Sequence, residues 1–141
     1  MKALDLGCGS GRNTKFLRSK GLVVEDIDVC HKDVKQRYDL GENVIPVPAS
    51  SVNLILLNYV LMFLSEAELS HLAEEIRRVA KYNCLIVIEM YPAKDSHCKT
   101  NDDCDIWRTM FKQYLLPYQD WRTIHKVKNR QIWQRMTEID V

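Results

Sequence analysis

The sequence predicts an α/β fold: a Rossmann-like, mostly parallel sheet with a C-terminal antiparallel hairpin, in a compact single domain over residues 1–141. Three observations carry this. A short apolar run runs straight into a three-glycine loop and then a helical pattern, Leu4-Asp5-Leu6-Gly7-Cys8-Gly9-Ser10-Gly11-Arg12-Asn13, which is the strand, loop and helix of an α/β nucleotide-cofactor site. Two nearly continuous apolar segments, Leu54-Ile55-Leu56-Leu57 and Leu85-Ile86-Val87-Ile88, flank a helical segment, as strands of a parallel sheet covered on both faces do. Near the C-terminus, two alternating segments stand on either side of Lys128-Asn129-Arg130, the pattern of a hairpin.

The elements follow in order. A strand near 2–6 leads into a helix near 12–19, where Thr14, Phe16 and Leu17 have the spacing of a face laid on a sheet and Asn13 or Thr14 can serve the first turn. A strand near 22–27 comes next. Only seventeen residues then separate Asp28 from Pro46. Either His31 to Leu40 is a helix, or Val34 to Leu40 is a strand with the helix reduced to a turn; the second reading is preferred. After a strand near 52–58, Ser65 and Glu68 form a capping box for a helix near 66–80, whose Leu69, Leu72, Ile76 and Val79 fall at helical spacing. Lys81 and Tyr82 are expected to close it before a strand near 84–89. Cys104 to Leu115 reads as a helix stopped near Pro117. The hairpin pairs Trp121 to Val127 with Gln131 to Met136. Of Trp107, Trp121 and Trp133, one or two are expected in the core rather than at an interface.

Composition narrows the class. With 46% hydrophobic and 28% charged residues the chain is a soluble globular type. The apolar run from Val52 to Leu64 is interrupted by Asn53, Asn58 and Tyr59 and is too short to span a membrane. The absence of a signal peptide makes a cytoplasmic location the expectation. Five cysteines, an odd number at irregular positions, read as reduced thiols. A net charge of +1 gives no global basic surface. Segment 112–135 is nonetheless basic, with Lys112, Arg122, Lys126, Lys128, Arg130 and Arg135 against Asp120, and is the segment through which a nucleic acid would bind.

The glycine spacing selects among cofactors. A dinucleotide loop needs G-x-G-x-x-G, but Arg12 stands where the third glycine belongs. Asp5 is poorly placed for a pyrophosphate and well suited to an ammonium group. A phosphate loop is excluded because no Gly-Lys-Ser or Gly-Lys-Thr follows.

At these residues the chain resembles the class I S-adenosylmethionine-dependent methyltransferases, of the methyltransferase type 11 kind. Leu4 to Gly11 matches the family's hydrophobic-Asp-hydrophobic-Gly-x-Gly-x-Gly position by position. Ile27-Asp28-Val29 resembles the second strand with its acidic end, Ile45 to Leu56 the fourth strand and its loop, and Leu69 to Glu89 the long helix and fifth strand. The resemblance implies S-adenosyl-L-methionine as cofactor, an antiparallel last strand, and cofactor contacts from Asp5, Gly7, Gly9, Gly11, Asp28, Asp39 and Asn58. Asp28, at the carboxyl end of the second strand, can accept two hydrogen bonds from a ribose diol; Asp26, one alternation earlier, is its local rival. Asp39 is placed near the adenine amino group by the resemblance alone. Asn53 stands where the family usually has Asp, at a structural position.

For transfer itself the candidates are Asn58, Tyr59 and Glu89. Asn58 and Tyr59 end the fourth family strand, where an amide oxygen can orient a nucleophile and an aromatic ring can cover a sulfonium. Glu89 follows the next strand and is the candidate base, its rival roles being a cap or an ion pair. The run Asn-Pro-Pro-Tyr shared by amino-methylating DNA enzymes is absent, and Cys8 reads as packing. His97, Cys98 and Cys104 lack zinc spacing, so no metal is expected.

The chain starts at its first strand, where relatives in the resembled family commonly carry a covering helix. The site is then expected to be open to a large acceptor, completed by a second copy or a partner subunit, or weak for cofactor. The favoured reading is a methyltransferase for a small-molecule acceptor. Its alternatives are a non-catalytic cofactor-binding domain that regulates a partner, and a methyltransferase of nucleic acid or protein.

Overall fold

The structure, a computed structural model, describes residues 1–7, 11–27, 44–58, 60–61, 64–89, 111–115, 121–127 and 130–136. Six strands form one sheet: β1 (Lys2–Leu6), β2 (Val23–Ile27), β3 (Val52–Asn58), β4 (Ala80–Glu89), β5 (Trp121–Val127) and β6 (Arg130–Arg135), in the order β2-β1-β3-β4-β6-β5. The first four run parallel, and β6 is antiparallel to both of its neighbours, β4 and β5. The expected α/β architecture with an antiparallel C-terminal hairpin is therefore the architecture found.

The two faces are dressed differently. On one, α2 (Glu66–Val79) lays Leu69, Leu72, Ile76 and Val79 into the core. Each of these buried side chains contributes about 1.5–3 kcal/mol. Ser65 begins this helix with the expected capping box: its hydroxyl accepts from the Glu68 N–H (3.2 Å), and Glu68 accepts from the Ser65 N–H (3.0 Å). Phe111, in the helical segment 111–115, stacks on Trp133, and Trp121 is buried beside them in the core.

The other face carries α1 (Arg12–Ser19) over β1 and β2. Its attachment differs from the expected apolar stripe. Phe16 is 59% exposed, with the Lys20 ammonium 5.6 Å from its ring centre. Thr14, buried, bonds Asp5, and Arg18, one turn on and half-exposed, bonds the Val24 carbonyl and Asp26 at the sheet's edge. An eight-residue helix presents one narrow stripe, and here that stripe is polar. Gly11 is the N-cap, and no side chain caps the helix, so neither Asn13 nor Thr14 plays that part.

The junction after α2 also departs from expectation. Lys81 and Tyr82 do not close the helix; β4 begins directly at Ala80. Val52 pairs with Ala80, but Leu54 pairs with Leu85, so β4 carries extra residues in an irregularity that contains Asn83 at φ 67. Asn tolerates this left-handed conformation better than most residues. The regular ladder, Leu85 to Glu89, is the strand legible in the sequence.

Below β3, segment 44–51 is clamped to α2. Glu75 accepts the Ile45 N–H (2.7 Å) and two donors of Arg78 (both 3.0 Å), while Arg78 donates to the Ile45 and Val47 carbonyls. Burial pushes the Glu75 carboxyl up, but the Arg78 hydrogen bond, the Ile45 N–H and the charges of Arg78 and His71 outweigh it and hold the group below its ordinary value. Among the described residues no helix is long and apolar enough to cross a membrane. The alternatives for His31 to Leu40, the start of the Cys104 helix and Trp107 lie outside the described residues.

Candidate functional site

In an open parallel sheet, ligands collect at the carboxyl edge where the chain reverses its direction of strand addition. Here β2 lies on one side of β1 and β3 on the other, so the reversal falls between β1 and β3. Leu6 pairs with Leu57. One step further along lie Gly7 and Asn58, two of the residues singled out from the sequence.

Gly7 is constrained from two sides. Its N–H donates to the Ile27 carbonyl (2.7 Å), and its φ of +71° lies in the left-handed region. A Cβ there would stand 2.4 Å from Val60 Cγ2. The glycine thus lets β1 leave the sheet tightly against the residue that follows β3 by two positions. Gly11, at φ +86°, has nothing within 4 Å of a would-be Cβ among the described residues.

Asp5 is 1% exposed, and its Oδ2 accepts the Thr14 hydroxyl at 2.6 Å. This bond fastens the first turn of α1 to the end of β1. Asp26 is held by Arg18 at 3.3 Å; it is therefore engaged on the α1 side. The side chain of Asn53 accepts the Lys2 N–H (3.0 Å), a structural contact between β3 and the start of β1.

Asn58 ends β3 with its Oδ1 buried and without a hydrogen-bond partner among the described residues. A buried, unpaired amide oxygen costs about 1–3 kcal/mol. Across the ladder, Asn58 pairs with Glu89, and Glu89 pairs with Arg130 at the start of β6. Glu89 and Arg130 form an ion pair, so the candidate base is bonded to a guanidinium. Gly9, Asp28, Asp39 and Tyr59 lie outside the described residues, as do Cys8, His97, Cys98 and Cys104. Among the described residues no group of three or more metal-ligating side chains occurs.

The basic segment 112–135 is distributed over several contacts. Lys112 lies over Trp133 (5.5 Å) and donates to Thr123 (2.9 Å). Arg135 donates to the Ala80 carbonyl (2.7 Å) and stacks over Tyr82 (4.2 Å); burial lowers its pKa, against the opposing influence of Tyr82 and Cys84. Arg122 and Lys126 are exposed on β5. Burial also pushes the Cys84 thiol up to about 12, with Arg135 acting against it.

Sequence reasoning did not anticipate Val60, Thr14 or Arg130 as the partners of Gly7, Asp5 and Glu89. All three are contacts between elements distant in the chain or set by helix rotation, for which periodicity carries no signal.

A family model described as a methyltransferase domain matches residues 4–88. The chain is similar in structure to a SAM dependent methyltransferase from Aquifex aeolicus, at 18% identity and a TM-score of 0.69, over 97% of this chain and 82% of that one. It is similar to the PH0226 protein from Pyrococcus horikoshii OT3, at 13% identity and a TM-score of 0.70, over 95% and 82% of the two chains. A TehB-like SAM-dependent methyltransferase from Corynebacterium glutamicum ATCC 13032 matches at 17% identity and a TM-score of 0.67, over 97% and 80%. At these identities the likeness is one of fold. No curated protein matches the chain.

Proposed function

We propose, from the premise that this chain belongs to the methyltransferase-domain family, that it transfers a methyl group from S-adenosylmethionine to a small-molecule acceptor. The observation that carries the reading is the buried Oδ1 of Asn58, unpaired among the described residues, at the reversal point between β1 and β3. A group bearing N–H or O–H donors in that crevice would satisfy it. The residues suit a sulfonium amino acid joined to a nucleoside: left-handed backbone at Gly7 and Gly11, a buried carboxylate at Asp5 and an amide acceptor at Asn58.

When bound, S-adenosylmethionine supplies an electrophilic methyl group on a positively charged sulfur. The protein's work is alignment and exclusion of water, since displacement at such a carbon needs little acid or base catalysis. Gly7 and Gly11 shape the floor. In this reading the Asp5 carboxylate contributes negative charge close to the ammonium, Asp28 takes the ribose diol, Asp39 the adenine amino group, and Asn58 orients the acceptor while Tyr59 covers the sulfonium. Because Glu89 is bonded to Arg130, the acceptors that fit best are those whose attacking atom is nucleophilic without loss of a proton to Glu89.

The test is calorimetric titration with S-adenosylhomocysteine, with NADH as control. Binding of the first alone is expected. Asp28→Ala and Asn58→Ala should each weaken it by about tenfold or more, as loss of hydrogen bonds worth about 1.5 kcal/mol or more implies. Binding of NADH alone, or affinity for S-adenosylhomocysteine unaffected by both substitutions, would overturn the assignment.

A further inference from the structure

At the cleft end of the sheet, Asn58, Glu89 and Arg130 occupy one register row: Asn58 pairs with Glu89, and Glu89 with Arg130. Directly paired residues point to the same face of a sheet. These three side chains therefore share the face that also carries Asp5, because Asp5 pairs with Leu56 and Leu56 lies two residues before Asn58. Adjacent strands are about 4.8 Å apart, which puts the backbone of Arg130 about 10 Å from that of Asn58.

Arg130 is the basic residue of segment 112–135 that pairs in register with Glu89. Lys112 and Arg135 are spent on Thr123, Trp133, Ala80 and Tyr82, and Arg122 and Lys126 lie on β5, one strand further from Asn58. The Arg130 side chain is 50% exposed while its partner carboxylate is 17% exposed, so Glu89 holds the guanidinium and leaves half of the side chain open to solvent. Arg130 Nε and Nη2 both reach a single oxygen, Glu89 Oε1. A guanidinium carries five N–H donors, more than one oxygen can engage. A planar fork already fixed by one carboxylate is well prepared to receive a second one.

We infer that Arg130 recognises a carboxylate on the methyl acceptor, held in place by Glu89, so that the acceptor is a small carboxylate-bearing molecule lying along the row from Arg130 to Asn58. The inference rests on the methyltransferase reading above and narrows its substrate class. It assigns Glu89 a positioning role through Arg130. The acceptor's carboxylate and its methylated atom are then separated by no more than the span of two strand spacings, about 10 Å.

The test is an NMR titration of the ¹⁵N-labelled chain, first saturated with S-adenosylhomocysteine and then given benzoate or its neutral isostere benzamide. Benzoate is expected to shift the Arg130 Nε–H and Asn58 side-chain amide resonances and to bind about tenfold or more tightly than benzamide, the discrimination expected of charge-assisted hydrogen bonds. Arg130→Gln should abolish that preference, and Arg130→Lys should restore part of it; the response to S-adenosylhomocysteine reports whether each variant is folded. Equal binding of benzoate and benzamide, no binding of either, or a preference that survives in Arg130→Gln overturns the inference while the cofactor response stands. Loss of the cofactor response in the unsubstituted chain instead defeats the methyltransferase reading, and this inference with it.

Discussion

Replacing Glu75 by Gln tests the internal clamp with almost no change of shape. The Glu75 side chain is 10% exposed and receives three donors, from Ile45 N–H, Arg78 Nε and Arg78 Nη2. Gln keeps one oxygen, enough for one of these partners, but turns an NH₂ toward another N–H donor. Hydrogen bonds to charged groups contribute about 1.5–3 kcal/mol, and breaking a buried ion pair costs about 3–5 kcal/mol. Arg78 is 31% exposed and retains the Ile45 and Val47 carbonyls, which moves the expected loss to the lower end, about 2–3 kcal/mol. For a domain of this size that is on the order of a 10 °C fall in Tm.

The same substitution alters the acid limb. The folded-state pKa of Glu75 is lowered, so at acid pH the unfolded chain takes up its proton first. Its contribution to stability is complete above the unfolded value and disappears as pH falls through the folded value. Urea denaturation across a pH series should therefore show a shallower acid decline in Glu75→Gln than in the unsubstituted protein. A loss under about 0.5 kcal/mol, in the range of an ordinary surface substitution, or parallel acid limbs, would refute the argument that this carboxylate is charged, buried and bonded as described.

Gly7→Ala forces a side chain into a left-handed conformation, costing about 1–2 kcal/mol, and drives its Cβ against Val60, an overpacking cost of about 1–3 kcal/mol. Adding Val60→Ala should relieve the collision and leave the backbone cost, a difference read by urea denaturation. Cys84, buried and with its thiol pushed up to about 12, should resist iodoacetamide at mildly alkaline pH in the folded protein and react once urea unfolds it. Peptide mass spectrometry would detect native labelling at Cys84 and so disprove its protection.

Where interactions are local, the chain announced them. Ser65 and Glu68 specify a helix start within three residues, and the Leu69, Leu72, Ile76, Val79 spacing fixes which side of that helix is buried. The Leu85 to Ile88 run marks the regular part of β4. What was not legible depends on partners far away in sequence. Phe16 has the helical spacing of a core residue, yet the bonds of Thr14 to Asp5 and Arg18 to Asp26 set α1 so that Thr14 is buried and Phe16 is not. Glu89 was readable as a base or as half of an ion pair. Only the register of β4 with β6, set by the whole hairpin, brings Arg130 to it. For the glycine loop, the neighbour that leaves Gly7 no room for a side chain, Val60, belongs to another strand's exit.

The polar attachment of α1 has a kinetic consequence. Thr14 is its one buried residue, and its largest apolar side chain, Phe16, faces solvent. Segments with so little apolar burial open at a small fraction of the global unfolding free energy, and a ligand that requires the closed form draws that opening equilibrium shut. The helix that follows the glycine loop is thus the part of this domain whose amide protection should rise most steeply when the crevice is filled, whereas α2, with its apolar face fully packed, should already exchange near the global limit.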